Sequence, residues 1–254
     1  MKIKFLTLNT LHGGELFDEM LAFLKKEDAD IMALQEVQES DTDNPNKKFH
    51  TTEILKKELA YPFSVFDSQV NLIMQGVKTE HGNAVYSKFP ITSHSNTFFD
   101  VPYGHVNHDE LLAKDDFTRI PQAFQKIEIK VNNMELTIIN VHGIWGFDGE
   151  DNERRLKMSQ MIVDKIKGEK NVILAGDFNV RPETETIRNI EKYLKNVFKD
   201  ELKSTFNMKR KKDGGYATSV VDMIFVSPDI KVTNHYCPDV DVSDHLPLVC
   251  ELEI

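Results

Sequence analysis

Short apolar segments with a strand-like pattern recur from one end of the sequence to the other, and this recurrence restricts the fold more than any other feature. The first such segment covers residues 2–8 and the last covers residues 246–254. A segment with helical periodicity, residues 150–167, lies among them. Strands before, between and after helices are typical of a mixed α/β (α+β) sandwich, in which two sheets pack on each other and helices cover their outer faces.

The remaining segments continue this alternation. Strands are predicted at residues 30–34, 63–99, 171–175 and 220–226, and short helices at residues 16–24, 54–59 and 184–193. A hairpin is predicted around Asn132 and Asn133, because this pair lies between two apolar runs and suits a turn with positive φ. Residues 40–48 are polar and are predicted as a loop. Residues 100–117 are rich in Asp, His, Gly and Pro without periodicity, so we expect a long, irregular functional loop there.

Length and composition are those of a soluble globular protein. A chain of 254 residues with 40% hydrophobic and 28% charged side chains is typical of one large domain, here residues 1–254. No window approaches the roughly 20 apolar residues of a membrane span, and the first residues lack the apolar core of a signal peptide. The two cysteines, Cys237 and Cys250, are too few for a disulfide framework. We therefore expect a cytoplasmic monomer without stable membrane insertion.

The formal charge of −10 restricts the ways in which the protein could bind nucleic acid. Nonspecific affinity for nucleic acid comes mainly from Lys and Arg that neutralise phosphates, so binding by basicity alone is disfavoured. A nucleic-acid enzyme is not excluded, because a metal site concentrates carboxylates and the bound cations reverse the local field.

Polar residues stand within or just beyond several of the apolar runs, where a rigid scaffold presents reactive groups. They are Asn9, Glu36, Asn140, His142, Asp177, Asn179, Asp222, Asp244 and His245. Each also fits a structural role when taken alone. Asn9 suits a turn, Glu36 suits a solvated strand end, and His142 and His245 suit histidines that only satisfy local hydrogen bonds.

Two segments are more specific. In residues 173–179 an apolar strand ends at Gly176, and Asp177 and Asn179 follow with a spacing that can aim both side chains at one point. The carboxylate suits a Mg²⁺ ligand or a water activator and the amide suits a phosphate contact, while an Asx-type turn is the alternative. Asp244 and His245 place an acid beside an imidazole before the last strand, which suits a metal ligand and a proton-handling group, or else a polar loop.

The sequence resembles the endonuclease/exonuclease/phosphatase superfamily, which has the deoxyribonuclease-I-like fold. The resemblance rests on seven ordered motifs: Leu6-Thr7-Leu8-Asn9, Leu34-Gln35-Glu36-Val37, residues 82–91, Asn140-Val141-His142, Gly176-Asp177-Phe178-Asn179, residues 221–226 and Ser243-Asp244-His245-Leu246-Pro247. It implies a four-layer α/β/β/α sandwich with one active site at the shared rim of its two sheets.

The resemblance also implies a role for each matched residue. Glu36 is expected to hold Mg²⁺, or Mn²⁺ as a substitute, with Asn9 and Asp244 as further metal contacts. Asp177 is expected to orient or deprotonate the attacking water, and Asn179 to steady a phosphate oxygen or the nucleophile. A further acid–imidazole pair is implied, in which Asp222 orients His245 as a base or as a cationic phosphate contact.

A second group of residues is expected near the substrate. His142 is implied to contact the phosphate or assist the leaving group, with Asn140 bonding the same phosphate and Glu80 as a partner for His142. Arg119 is expected either to reach the phosphate or to be a surface arginine. Trp145 could stack on a base or ring, or pack under its loop.

The reaction implied is hydrolysis of a phosphodiester by in-line attack of water, in a metal-dependent phosphoric ester hydrolase. A nuclease is the first hypothesis, so nucleic acid is the expected partner. An inositol-phosphate phosphatase or a sphingomyelinase-like phospholipid phosphodiesterase is the alternative, and a noncatalytic binding module is a third. The dense basic run 209–212, followed by Gly214, Gly215 and Tyr216, could follow a polyanion or could be a solvated surface.

Overall fold

Two sheets form the centre of the molecule in a computed structural model that describes residues 1–211 and 218–254. The strands are β1 Lys2–Asn9, β2 Ile31–Glu39, β3 Phe63–Met74, β4 Val77–Ser87, β5 Ile91–Phe98, β6 His105–Asn107, β7 Ala123–Val131, β8 Met134–His142, β9 Val172–Asp177, β10 Lys195–Asn196, β11 Asp222–Val226, β12 Lys231–Tyr236 and β13 Leu248–Glu253. Within the described residues, one sheet has the order β12-β13-β1-β2-β4-β3-β6 and the other the order β10-β11-β9-β8-β7-β5.

Helices lie on the outer faces of the two sheets. They are α1 Phe17–Glu27, α2 Thr51–Leu59, α3 His108–Lys114, α4 Glu153–Ile166 and α5 Glu185–Glu191, with a 3₁₀ turn at Lys47–Phe49. One apolar cluster lies between the sheets and includes Phe5 and Ile138. A second joins the β8–β9 sheet to α4 and α5, and a third joins the β1–β2 sheet to α1 and α2. These three apolar layers confirm the predicted α/β/β/α sandwich, because each sheet is buried on both faces.

The strand directions bring the motif residues to one rim. The β1–β2 pair is parallel, and so is the β8–β9 pair, so the carboxyl ends of these strands lie together within each sheet. Strand β11 runs antiparallel to β9, with Asp222 directly opposite Asp177, and His142 is opposite Asp177 on the other side. Strand β13 runs antiparallel to β1, so the beginning of β13 lies beside the end of β1. Polar residues from both sheets therefore meet at one edge of the sandwich.

The hairpin predicted around Asn132 and Asn133 is confirmed, whereas the irregular loop predicted at residues 100–117 is wrong. Asn132 has a φ of 56° in the turn between β7 and β8, as the paired Asn residues suggested. Residues 100–117 contain β6 and α3 instead of an irregular loop. The cause is local, since the Asn107 side chain accepts hydrogen bonds from the backbone N–H groups of Asp109 and Glu110 and starts the helix. Among the described residues, no helix is both long and apolar enough to cross a membrane.

Candidate active site

Glu36 is aimed into the site by an irregularity in β2. The pairing with β4 shifts register between Leu34 and Val37, and Glu36 itself has a φ of 57°. A bulge of this kind turns a side chain out of its regular direction and is common beside active sites. Asn9, at the end of β1, donates through Nδ2 to Glu36 Oε1 at 3.0 Å and to Asp177 Oδ2 at 3.2 Å. One amide therefore joins an acid of each sheet.

The Glu36 carboxyl is held in its ionised form. Burial opposes ionisation, but the imidazoles of His12 and His142 and the Asn9 amide outweigh it, so the pKa of Glu36 is far below its usual range. The His12 backbone N–H also donates to Glu36 Oε2 at 2.9 Å. The result is a half-buried carboxylate with a hard oxygen, the ligand type that Mg²⁺ prefers.

Two glycines allow β8, β9 and the following turn to approach closely. A Cβ added at Gly176, where φ is 134°, would lie 2.0 Å from the Val141 carbonyl oxygen. A Cβ added at Gly143 would lie 2.1 Å from the Phe178 carbonyl oxygen. Only glycine permits either contact. This close approach sets the position of His142 and of the segment that carries Asp177.

Asp177 and Asn179 form an Asx-type turn, as the alternative interpretation of this motif expected. The Asn179 backbone N–H donates to Asp177 Oδ1 at 2.8 Å, and Asn179 Nδ2 donates to the Gly143 carbonyl at 3.1 Å. Both side chains nevertheless line the cavity described below. The turn is therefore also the means by which the two groups are presented there. Burial and the nearby Asp222 charge raise the pKa of Asp177 against the opposing effect of His245.

His245 is paired with Asp222. His245 Nδ1 lies 2.8 Å from Asp222 Oδ2, and His245 Nε2 lies 3.9 Å from Asp177 Oδ2. Burial lowers the tendency of His245 to carry a proton, but Asp222 and Asp244 outweigh it and raise the pKa of His245 to about 10. The imidazole is therefore protonated at neutral pH and presents a cation at Nε2.

His142 lies between the two acids of the site. His142 Nε2 is 3.9 Å from Glu36 Oε1 and 4.0 Å from Asp177 Oδ2. Both distances exceed a hydrogen bond, and the ring lines the cavity described below. The structure thus brings His142 to the predicted position.

The acids of the rim fit a divalent cation. Lys211 Nζ lies 2.7 Å from Asp244 Oδ2, and this ammonium also feels the charges of Glu36 and Asp177. A lysine cation is thus drawn to the place where the predicted ligands converge. Ligand atoms of Asp177, Asp222 and His245 also lie within 4.8 Å of one another. The carboxylate oxygens at this rim suit Mg²⁺ or Mn²⁺, whereas His245 carries a proton, bonds Asp222 and offers no lone pair to a metal.

Asn140 is not at the site. Its Nδ2 donates to the carbonyl oxygens of Leu34 and Ala84 and to Gln125 Oε1, and its Oδ1 accepts from Gln35 Nε2 at 2.6 Å. The amide is fully buried between the sheets, with all its hydrogen-bonding capacity engaged by protein groups. The expected phosphate contact by Asn140 is therefore corrected to a structural role that ties the two sheets together.

Arg119 and Glu80 are not at the site either. Arg119 is exposed and does not line the cavity; the carboxylates that it influences are Asp100 and Asp116. This agrees with the alternative of a surface arginine. Glu80 accepts hydrogen bonds from Ser68, Asn71 and Tyr103 instead of His142. The partner expected for His142 is thus engaged elsewhere.

The described part of the basic run is paired with aspartates. Lys209 lies 3.2 Å from Asp239, and Arg210 lies 2.7 Å from Asp241. Lys211 pairs with Asp244 as stated above. Each of these positive charges is thus paired with a negative one. This weakens the interpretation that the basic run binds along a polyanion. Lys212, Gly214, Gly215 and Tyr216 lie outside the described residues.

The site opens into a cavity of about 460 Å³ that contains residues not predicted from the sequence. The unpredicted polar members are His12, His81, His108, Asp115 and Gln122. His12 follows the first motif by three positions and His81 directly precedes the third, so proximity to a motif was the available signal. Trp145, for which stacking was one of two expectations, lies on the cavity wall.

Comparisons with known proteins agree with this geometry. The sequence profile described as the endonuclease/exonuclease/phosphatase family matches residues 6–245. No curated protein matches the chain.

Solved structures share the fold at low identity. An endonuclease/exonuclease/phosphatase from Beutenbergia cavernae has a TM-score of 0.76 at 17% identity, covering 100% of this chain and 72% of that one. A mannosyl-6-phosphatase from Bacteroides thetaiotaomicron has a TM-score of 0.69 at 19% identity, covering 99% and 100%. TDP2 of D. rerio, complexed with a single-strand DNA product, has a TM-score of 0.69 at 15% identity, covering 100% and 99%.

The profile match covers nearly the whole chain, and the motif residues that it spans converge on one acidic and imidazole-rich rim. The chain therefore belongs to the endonuclease/exonuclease/phosphatase family, whose members are metal-dependent phosphoesterases.

Proposed function

We propose that this protein is a metal-dependent phosphoric ester hydrolase that cleaves a phosphodiester by in-line attack of water. The observation that carries the proposal is that two hydrogen-bonded units meet at one cavity, which Glu36, Asp177 and His245 line. The first is the Asn9 amide between Glu36 and Asp177, and the second is the Asp222–His245 pair, whose Nε2 is 3.9 Å from Asp177. Acids and a protonated imidazole around one space suit the charges that form during phosphoryl transfer.

Glu36, with Asn9 and Asp244, is proposed to hold Mg²⁺, for which Mn²⁺ could substitute. When bound, such an ion polarises the phosphoryl group and offsets the negative charge that develops on its nonbridging oxygens. The Lys211 ammonium at Asp244 marks the negative field that attracts such a cation.

The remaining side chains are assigned by their position and protonation. Asp177 is proposed to orient the attacking water and take its proton, since the pKa of Asp177 is raised and the side chain faces the cavity. His245 carries a proton and is proposed to contact a phosphate oxygen, with Asp222 fixing its ring. His142 and Asn179, which line the same cavity, are proposed to contact the phosphate as well.

Nucleic acid is the first substrate class that we propose for testing. The fold is shared with TDP2 of D. rerio, which was solved with a single-strand DNA product. The second class is a small phosphate ester, including inositol phosphates and phospholipid headgroups. Two observations favour this second class: the net charge of −10, and Lys211 as the one lysine or arginine among the described residues that line the cavity. A noncatalytic module is disfavoured because every motif position retains a reactive side chain.

The test is an activity panel in the presence and absence of Mg²⁺. The substrates are single- and double-stranded DNA, RNA, abasic DNA, inositol phosphates, mannose 6-phosphate and sphingomyelin, with the His245→Ala protein as background. We expect metal-dependent hydrolysis that is lost in His245→Ala and in Glu36→Ala while both variants stay folded. Activity equal to wild type in either variant would refute the assignment.

We further propose that residues 1–254 act as a single domain and as a monomer in the cytoplasm. The free thiols of Cys237 and Cys250 support a reducing compartment. Size-exclusion chromatography with light scattering tests the monomer.

A further inference from the structure

One wall of the active-site cavity is apolar, although the reactive rim beside it is strongly polar. The side chains of this apolar wall are Leu72, Leu112, Phe117, Ile120, Trp145 and Phe147. They come from β3, from α3 and the segment after it, and from the loop after β8. The wall is continuous with the space beside Glu36 and His142, since these residues line the same cavity. A substrate phosphate at the rim would place its organic group against this wall.

The aromatic rings of the wall are arranged edge to face and are left partly uncovered. Phe117 and Trp145 have ring centroids 5.5 Å apart at 68°, and Trp145 and Phe147 have centroids 4.7 Å apart at 71°. Phe147 is 61% exposed and Leu112 is 62% exposed, so this part of the wall faces solvent. Apolar side chains grouped at a concave surface are typical of a ligand site.

The loop that presents Trp145 and Phe147 is fastened from below by a buried arginine. Arg155, in α4, is fully buried and donates through Nε to the Ile144 carbonyl at 3.1 Å and through Nη1 to the Glu150 carbonyl at 2.6 Å. Gly146 leaves room for this side chain, because a Cβ there would lie 2.6 Å from Arg155 Nη2. The Trp145 backbone N–H donates to Gln122 Oε1 at 2.7 Å. The rings are therefore held in place before any ligand arrives, which lowers the entropic cost of binding.

The charges of the cavity specify what kind of group fits the wall. Its described lining carries four acids and only two cations, the single lysine Lys211 and the protonated imidazole of His245; the acids are Glu36, Asp115, Asp177 and Asp244. A polyanion would need several cationic contacts along its backbone, which this lining does not provide. An uncharged group needs no cationic contacts. A flat ring in particular could stack or pack edge to face with Trp145 and Phe147.

We propose that the apolar wall is a subsite for an uncharged planar aromatic ring carried by the organic part of the phosphate ester. This inference rests on the proposed function for the phosphate end of the ligand. The shared chemistry is the ring itself, whether it belongs to a nucleobase or to an aryl alcohol. Phe147 and Trp145 are thus specificity-determining residues, and Arg155 is a positioning residue.

A binding experiment tests the ring subsite without any hydrolysis. Trp145 is the only tryptophan of the chain, so its fluorescence reports directly on this wall. The wild-type protein with Mg²⁺ is titrated with benzylphosphonate, cyclohexylmethylphosphonate and methylphosphonate. We expect a saturable change in Trp145 emission with benzylphosphonate at a Kd about tenfold lower than that of methylphosphonate, with the cyclohexyl compound between them.

Variants localise the effect. Phe147→Ala is expected to raise the Kd for benzylphosphonate about fivefold to tenfold and to leave the Kd for methylphosphonate unchanged, while Phe147→Tyr retains the wild-type value. Ile73→Ala is the matched control, because Ile73 is 41% exposed, lies next to Leu72 on β3 and does not line the cavity. It is expected to behave as wild type. Equal affinity for the three phosphonates, or an equal loss for all three in Phe147→Ala, would overturn the proposal.

Hydrolysis measurements then show whether the ring belongs to a nucleobase or to an aryl alcohol. They also distinguish failure of the ring subsite from failure of the proposed function. Methyl phosphodiesters of thymidine, benzyl alcohol and ethanol are compared as ratios of kcat/KM between Phe147→Ala and wild type, so that leaving-group reactivity cancels. If the kcat/KM ratio is lower for the thymidine ester alone, the ring is a nucleobase. If it is lower for the benzyl ester alone, the ring is an aryl group. Equal ratios for all three esters contradict the subsite. Ring-selective binding without hydrolysis of any ester would refute the proposed function and leave the ring subsite supported.

Discussion

His245 Nδ1 lies 2.8 Å from Asp222 Oδ2, and both side chains are buried. The Asp222 carboxylate is therefore a main source of the raised pKa of His245 and fixes the ring orientation. Asp222→Asn removes the charge and keeps the shape. We expect this variant to lower kcat about 10²–10³-fold, similar to the loss of one charge-stabilising donor.

The double variant Asp222→Asn/His245→Ala checks that the two residues act as a unit. It is expected to be no slower than His245→Ala alone, because Asp222 acts through the imidazole. Steady-state kinetics on the best substrate of the panel provides the measurement. Losses that multiply in the double variant would show that Asp222 has a separate role.

Glu36→Gln is expected to abolish the response of the protein to Mg²⁺. A ligand that binds only the folded state stabilises it by RT ln(1 + [L]/Kd), so the wild-type Tm should rise with added Mg²⁺ and the variant Tm should not. Differential scanning calorimetry with and without the ion gives both values. Glu135→Gln, an exposed glutamate on the β7–β8 hairpin, is the control and should respond as wild type. An undiminished Tm rise in Glu36→Gln would move the metal to other ligands.

Gly143→Ala is expected to destabilise the protein and to impair catalysis together. The added Cβ would meet the Phe178 carbonyl oxygen at 2.1 Å, so the strand ends that carry His142 and Asp177 must separate. Overpacking of this kind typically costs about 1–3 kcal/mol of the free energy of unfolding. Gly104→Ala is the matched control, since its nearest contact would be 3.9 Å away. The free energy of unfolding in urea and kcat are measured for both variants. Equal losses in Gly143→Ala and Gly104→Ala would show that the contact with the Phe178 carbonyl does not require glycine.

His81 makes the metal-free protein less stable at mildly acidic pH. Burial, together with the charges of neighbouring imidazoles, outweighs the attraction of Glu36 and lowers the pKa of His81 from 6.5 to about 3. Between these values the unfolded chain binds a proton that the folded protein excludes, so stability is full above pH 6.5 and falls as the pH decreases towards 3. At pH 5 the loss from this one group is on the order of 2 kcal/mol.

Urea unfolding in EDTA at pH 7 and pH 5 measures this effect. The difference in unfolding free energy between the two pH values should shrink in His81→Gln and should keep its wild-type size in His94→Gln, where the replaced histidine is exposed. The comparison uses the pH difference within each variant, so that packing changes caused by the substitution itself cancel. An unchanged pH difference in His81→Gln would show that other groups dominate.

The sequence correctly predicted where strands end and which side of a sheet a residue faces. It could not predict how far inside the sandwich a residue lies. Asn140 and His142 are two residues apart on β8 and so point to the same side of the sheet. His142 reaches the rim, while Asn140 lies one step deeper and bonds inside the sandwich. Periodicity of two residues assigns a side but contains no information on how far along the strand the cavity begins.

Other differences have equally local causes. Strand β12 escaped prediction because none of its residues is buried and they lack a clear apolar alternation. The short helix α3 depends on one cap at Asn107 within a segment of low periodicity. The pairing of Asp222 with His245 was expected only from the resemblance to the family, because the two residues are 23 positions apart and no periodicity links them.

The Asn9 amide joins Glu36 of one sheet to Asp177 of the other. These two hydrogen bonds cross-link the two halves of the sandwich beside the proposed metal ligands. Thermal breathing that separates the halves at this edge would break these hydrogen bonds and dismantle the catalytic arrangement while the apolar layers remain closed. Loss of activity is therefore expected to precede loss of the folded core on heating, and the open edge is the place where amide hydrogen exchange should respond first to chelation.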